Sequence, residues 1–110
     1  MEFPQMVTDL PEVALPFPPD DMRAFLMHSE RRPVVVFEIR EDADTPPHSH
    51  GGQWGTVLAG TVELSLDGRT SLLTPGCSYT IPAGAVHSAK LAAGTKFLDF
   101  FEEPDRHKAK

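Results

Sequence analysis

The chain has a single cysteine, Cys77, among its 110 residues. One cysteine excludes an internal disulfide, and we interpret Cys77 as a small buried apolar residue. No apolar run approaches the roughly 20 residues of a membrane span. The amino terminus, with Glu2 and Pro4, lacks the basic and apolar regions of a secretory signal. These absences predict a protein of the cytoplasm with no membrane partner.

Positive charge is also scarce. Ten lysines and arginines stand against 16 acidic residues, which gives a formal net charge of -6. The basic residues are scattered, and the adjacent pair Arg31 and Arg32 is too short to form a patch. Phosphate contacts need clustered positive charge, so we expect no nucleic-acid partner.

Helical patterns are nearly missing. Five prolines among residues 1–20 exclude a long helix and predict an extended arm with apolar residues at Val13, Leu15 and Phe17. Over residues 20–28, Met22 and Phe25 have helical spacing behind an Asp, which predicts one short helical turn. We therefore assign residues 1–30 to an N-terminal arm that contains a short helical turn.

From residue 31 to 103 the pattern is that of β-strands, followed by a charged, solvated tail at 104–110. Apolar and polar residues alternate after Gly60, and Asp67-Gly68 is typical of a tight hairpin. Many short strands without helices between them predict an all-β sandwich or barrel at the size of one domain. The predicted strands are 34–40, 54–59, 61–66, 70–73, 78–81, 87–91 and 96–101.

Three histidines have the spacing of a metal site. His48 and His50 are alternate residues, so on an extended strand both imidazoles face one point. His87 follows the turn Pro82-Ala-Gly84 and opens another predicted strand. Neutral imidazole binds zinc, copper, iron and nickel, and few protein ligands leave positions open for substrate. His28 and His107 lie in polar or charged stretches, and we interpret them as ordinary surface histidines.

These residues resemble two motifs of the cupin superfamily. The first is similar to Pro47-His48-Ser49-His50 with Gln53 and Gly60, and the second to Gly76, Pro82, Gly84 and His87. Together they cover residues 46–91, and the flanking strands extend the likeness to about 34–101. The resemblance implies a jelly-roll barrel, the double-stranded β-helix of a small single-domain cupin, with a divalent transition metal such as zinc, nickel or iron.

The chain departs from that family pattern at the fourth ligand. Gln53 stands where the family has a glutamate, and two residues separate it from His50 where the family has three or four. The resemblance implies that Gln53 is a fourth ligand; the alternative is that it turns away or hydrogen-bonds a metal-bound water. A neutral amide would leave the site more positive than a carboxylate does, which favours anionic ligands.

Two further residues are candidates for acid–base chemistry. Asp99 alternates with Phe97 and Phe101 on the last predicted strand, so it is a buried general acid or base if that face lines the barrel, and a solvated charge otherwise. Tyr79 either donates a hydrogen bond into the pocket or packs in the core. Trp54 either lines the wall of the pocket or lies in a dimer interface.

The sequence leaves three functions open. The first is a metal-dependent enzyme of isomerase, lyase or dioxygenase type acting on a small polar or anionic metabolite, with Asp99 or Tyr79 moving a proton. The second is a non-catalytic module that binds a metal or small molecule, because cupins host many unrelated activities. The third is a scaffold without metal. The proline-rich arm and exposed sheet edges also predict a homodimer.

Overall fold

The computed structural model describes residues 2–27, 33–104 and 106–107. In these residues one helical turn and nine strands form two antiparallel sheets, with strand orders β1-β2-β9-β4-β7 and β3-β8-β5-β6. The prediction of an all-β jelly roll is confirmed. The elements are α1 Gln5–Thr8, β1 Met22–Met27, β2 Val34–Ile39, β3 Ala43–His48, β4 Gln53–Ala59, β5 Val62–Leu66, β6 Arg69–Leu73, β7 Ser78–Ile81, β8 His87–Leu91 and β9 Lys96–Phe101.

The core lies between the two sheets. Val62 and Leu64 face it from β5, as their alternation predicts, and Val35 and Val57 face it from β2 and β4. The turn between β5 and β6 has positive φ at both Asp67 (48°) and Gly68 (82°), the conformation that an Asp-Gly hairpin supplies. Within the described residues no helix is long and apolar enough to cross a membrane.

The predicted helical turn over residues 20–28 is wrong where the structure describes it, because residues 22–27 form strand β1. This strand pairs with β2 from Met22–Ile39 to Met27–Val34. Met22 faces the core while Phe25, fully buried, faces the opposite side of the sheet. Because this strand is buried on both faces, two apolar residues three positions apart occur in it as they would in a helix. His28 lies outside the described residues.

The arm lies on its own sheet. Val13 N–H donates to the Ala24 carbonyl over 2.9 Å, and Leu26 N–H donates to Pro11 over 2.8 Å, so the arm extends the edge at β1. Val13 is buried, and Leu15 and Phe17 pack against the core. One helical turn, α1, fits between Pro4 and Pro11, where six residues are free of proline.

Cys77 is half-buried, so its interpretation as a buried residue is wrong. It lies in the turn before β7, where the Thr74 hydroxyl is 3.6 Å from its sulfur. The chain reverses at Thr74-Pro75-Gly76, which keeps this position near the surface.

Candidate metal centre

Two neighbouring strands bring the three histidines together. His48 ends β3, His87 begins β8, and the two residues are direct partners in the antiparallel register. His50 follows two residues after β3, and its carbonyl accepts a hydrogen bond of 2.9 Å from Gly84 N–H. The turn that precedes His87 therefore also fixes the backbone at His50. The predicted convergence of His48, His50 and His87 is confirmed.

The three rings surround one point. Their centroids lie 5.3 Å (His48–His50), 4.2 Å (His48–His87) and 4.8 Å (His50–His87) apart. One ring nitrogen of each lies within 4.8 Å of the others, so the cluster could hold a metal ion. Zinc–imidazole bonds are about 2.0–2.1 Å long, so binding of one ion would draw the three nitrogens slightly closer together.

Each ring has its Nδ1 atom next to a backbone carbonyl. The distances are 2.7 Å from His48 to Pro46, 2.7 Å from His50 to Gly51 and 3.0 Å from His87 to Ala85. A carbonyl only accepts, so Nδ1 carries the proton in all three rings. The lone pair is then on Nε2, which is the tautomer and the orientation of a metal-ligating histidine.

Burial keeps two of these histidines neutral. Desolvation lowers the pKa of both His50 and His87. Arg106 and the neighbouring histidines lower both pKa values further. The carbonyl bonds of Gly51 and Ala85 raise the pKa but do not reverse the direction. Neutral imidazole is the form that binds metal, so the environment favours ligation near neutral pH.

A second polar cluster lies beside the histidines. Asp99 on β9 has 2% of its surface exposed, which confirms that this face of the strand is internal. Its Oδ2 accepts a hydrogen bond of 2.8 Å from Gln53 Nε2, and its Oδ1 accepts one from the Tyr79 hydroxyl. The three groups therefore satisfy one another inside the barrel.

Gly55 makes this contact possible. It lies on β4 directly opposite both Asp99 on β9 and Tyr79 on β7. A Cβ atom at Gly55 would collide with Asp99 Oδ1 and with the Tyr79 hydroxyl. The missing side chain lets the two polar groups meet across the central strand. A glycine inside a strand marks such a close approach, and this signal was available in the sequence.

The two acids of this cluster have raised pKa values. Burial raises the pKa of Asp99 to about 7, although the hydrogen bonds from Tyr79 and Gln53 lower it in part. Burial and the nearby Asp99 carboxylate raise the pKa of Tyr79 far above its usual range. Tyr79 thus stays protonated, whereas Asp99 can exchange a proton near neutral pH.

The C-terminal segment returns to the barrel, so the prediction of a solvated tail is wrong for His107. Its ring packs against Phe101 at 4.6 Å and edge-on to Phe37 at 5.7 Å. Burial lowers the pKa of His107 to about 4, and the charges of Arg106 and His50 add to this effect. The composition of the tail gives no signal for this contact.

A cavity of about 590 Å³ lies between the sheets. At the polar end are the three histidines with Gln53, Tyr79 and Asp99. At the apolar end are side chains from both sheets and from the arm, namely Phe17, Met22, Phe37, Val62, Leu91 and Phe97. Trp54 does not line the cavity; it is 42% exposed on the outer face of β4, where its ring lies 5.7 Å from Phe100.

A two-sheet barrel with histidines inside one end is the architecture of the cupin class. The cupin domain model matches residues 35–101, and the chain belongs to this family. A comparison with curated proteins gives no match.

Several solved structures share the fold. An RmlC-like cupin from Shewanella frigidimarina is 22% identical, with a TM-score of 0.73 over 87% of this chain and 86% of its own. KdgF from Halomonas sp. is 25% identical, with a TM-score of 0.68 over 76% and 79%. A variant of oxalate decarboxylase from Bacillus subtilis is 19% identical, with a TM-score of 0.69 over 90% of this chain and 29% of that longer chain.

Proposed function

We propose that this cupin is a metal-dependent enzyme that acts on a small metabolite with a polar or anionic group. The observation that carries the proposal is the contact that Nδ1 of each of His48, His50 and His87 makes with a backbone carbonyl, which leaves Nε2 as the atom that can bind a metal. Such a set suits zinc, nickel or iron and leaves coordination positions for a ligand. When bound, the metal would supply Lewis-acid polarisation of a substrate oxygen.

Gln53 is the proposed fourth ligand. Its Nε2 atom is committed to Asp99, which orients the amide and leaves Oε1 as the free end. An amide oxygen is neutral, so the centre would keep more positive charge than one with a carboxylate. Arg106 also lines the cavity. Both features favour an anionic group on the ligand.

Asp99 is the proposed proton-transfer residue, and Tyr79 is the residue that orients it. Asp99, with a pKa raised to about 7, can hold or release a proton at the cavity wall near neutral pH. Tyr79 keeps its proton because its pKa is raised, and it stabilises the Asp99 carboxylate by donating to Oδ1. A buried carboxyl group that can exchange a proton beside the proposed metal centre suits isomerase and lyase chemistry and favours an enzyme over a scaffold.

The binding module remains the second candidate. Beyond the Asp99 cluster the cavity walls are mainly apolar, and an apolar pocket favours binding without turnover. Turnover assays with the Asp99→Asn variant separate the two functions, because a binding module keeps its ligand affinity and has no activity to lose.

The test of the metal centre is elemental analysis of the protein purified without a histidine tag. We expect about one metal per chain in wild type, loss of it in His50→Ala, and retention in His107→Ala, the matched control that lines the same cavity outside the cluster. Gln53→Ala is expected to weaken metal binding about tenfold. A wild type that stays empty after incubation with zinc, nickel and iron contradicts the metal-dependent enzyme.

A homodimer is proposed on the outer face of the five-stranded sheet. Trp54, Phe100, Val34 and Met27 pair across four strands and form one uncharged row. Trp54, Phe100 and Met27 are each about 40% exposed. Two chains of net charge -6 repel, so an uncharged face is where a second copy can pack. Location in the cytoplasm stays a prediction.

Analytical sedimentation measures the mass of the particle in solution and so tests for this dimer. Wild type is expected at twice the 12.1 kDa of one chain, and Phe100→Lys at the mass of one chain, because a buried lysine in an apolar contact is costly. Leu72→Lys is the control, since Leu72 is 66% exposed on β6 in the other sheet. A monomeric wild type at high concentration contradicts the proposal.

A further inference from the structure

The cavity extends well beyond the histidines. On β8, His87 lies at the polar end and Leu91 at the apolar end, four residues further along the strand. At about 3.3 Å per residue this spans roughly 13 Å. Phe101 and Phe97 mark the same two ends on β9, where His50 lies 6.0 Å from Phe101. A ligand held only at the histidines would leave most of this length empty.

The wall halfway along offers little to a polar ligand. Asp99 is the polar side chain between Phe101 and Phe97, and both of its oxygens already accept hydrogen bonds from Gln53 and Tyr79. On the opposite wall the corresponding residue is Ala89, and its β3 partner Thr45 lines the cavity with a hydroxyl oxygen that already accepts a hydrogen bond of 2.9 Å from Ala89 N–H. His107, which packs against Phe101 and Phe37, is a further polar group at this depth, so a ligand with several hydroxyl groups would lose more hydrogen bonds to water than it regains here.

The apolar end is lined by hydrocarbon from three sources. Val62 and Leu91 are direct partners on β5 and β8, and Phe37 stacks on Phe97 at 4.7 Å. The arm adds Phe17. Asp44 also borders the cavity, but it is exposed on the edge strand β3, where its direct partner on β8 is the oppositely charged Lys90. An anionic group of a ligand is therefore expected at the proposed metal centre and Arg106 rather than at the apolar end.

We infer that the ligand is amphiphilic: a metal-chelating oxygen head, such as a carboxylate or 2-oxo carboxylate, binds at the polar end, and an unbranched hydrocarbon tail of several carbons fills the apolar end. A volume of about 590 Å³ is in the range of pockets that enclose drug-sized ligands. Phe17, on the arm, is a specificity-determining residue for the tail. The assignment rests on the proposed metal centre for the head and on the cavity walls alone for the tail.

The test is calorimetry of the zinc-loaded protein with straight-chain 2-oxo acids from pyruvate to 2-oxooctanoate. Each added methylene is expected to lower Kd about fourfold, the value for burial of one CH₂ group. D-gluconate, an acid of similar length that carries hydroxyl groups, is expected to bind no better than pyruvate. A Kd that stays constant along the series, or tighter binding of gluconate, overturns the inference.

Two controls separate the tail from the head. Phe17→Ala is expected to raise Kd for 2-oxooctanoate about tenfold and to leave pyruvate unchanged, whereas Phe100→Ala, on the outer face, changes neither. Straight-chain 1-alkanols are titrated into metal-free protein. Should no metal bind while alkanol affinity still rises with chain length, the metal proposal fails and the apolar site stands. Should pyruvate bind zinc-loaded protein without a chain-length gain, the apolar site fails and the metal proposal stands.

Discussion

At the polar end of the cavity each side chain is held by a hydrogen bond to a defined partner, whereas at the apolar end the side chains are held by packing alone. His48, His50 and His87 each bond a backbone carbonyl, and Gln53 and Tyr79 both bond Asp99. Among the described residues, the hydrocarbon side chains of the apolar end make no such bonds, and they line the open space of the cavity. We therefore expect the polar end to be strict in its geometry and the apolar end to tolerate substitutions.

The physical reason is the cost of burying polar atoms. A buried donor or acceptor without its partner costs about 1–3 kcal/mol, so one change in the polar end affects every group bonded to it. An apolar wall loses only contact area when a methyl group is removed, and less still where it already faces open space. The free energy of unfolding is therefore the quantity that distinguishes the two ends.

The largest expected effect is a pH dependence from Asp99 in metal-free protein. The folded-state pKa of about 7 lies above the unfolded value near 3.9, so the folded state binds more protons between these values. Asp99 therefore makes its whole contribution to the free energy of unfolding below about pH 4. This contribution decreases as the pH rises and is lost above about pH 7. The total is about 4 kcal/mol, because each pH unit in this window changes the free energy by about 1.4 kcal/mol.

Urea unfolding of wild type and Asp99→Asn at pH 4 to 8 measures this term. The difference between the two proteins is expected to shift in favour of the variant as pH rises. Taking the difference removes the opposite contribution of His50 and His87, whose lowered pKa values decrease stability toward acid pH. A difference that does not change with pH would show that the pKa of Asp99 is the same in the folded and unfolded states.

Gly55→Ala is expected to destabilise the protein by about 3 kcal/mol. The new Cβ separates the Tyr79 hydroxyl from Asp99 and leaves buried polar atoms unpaired. Gly68→Ala is the control. Gly68 has a positive φ but no neighbour within 4 Å of an added Cβ, so only backbone strain of about 1 kcal/mol is expected. Equal losses in the two variants would mean that the close approach at Gly55 is unimportant.

The sequence was sufficient for the strands and the histidines because both follow local patterns. Strands β7, β8 and β9 begin and end as predicted, and the alternation at His48 and His50 with a strand start at His87 places three rings around one point. Strand β1 was missed because it is buried on both faces, and residues 43–48 of β3 were missed because they contain two prolines and few apolar residues.

The contacts within the interior were not predictable. Whether Asp99 faces inward depends on the pairing of β9 between β2 and β4, and no local signal gives that pairing. The partner of Gln53 depends on the same register. The return of His107 onto Phe37, like the hydrogen bond from Glu102 N–H to the Gly52 carbonyl, joins residues that lie far apart in the sequence. Long-range register therefore accounts for most of what the sequence left open.

The smallest expected effect compares two valines, one at the cavity and one in the packed core. Val57 on β4 is 1% exposed and does not line the cavity, whereas Val62 on β5 does. Val57→Ala leaves a void among fixed neighbours and is expected to cost about 2.5 kcal/mol. Val62→Ala only enlarges space that is already open, so about 1 kcal/mol is expected. Urea unfolding of both variants in metal-free protein gives the difference. Equal costs would mean that the apolar end is closed and packed in solution. The two ends would then differ in the chemistry of their side chains but not in how well they tolerate substitutions.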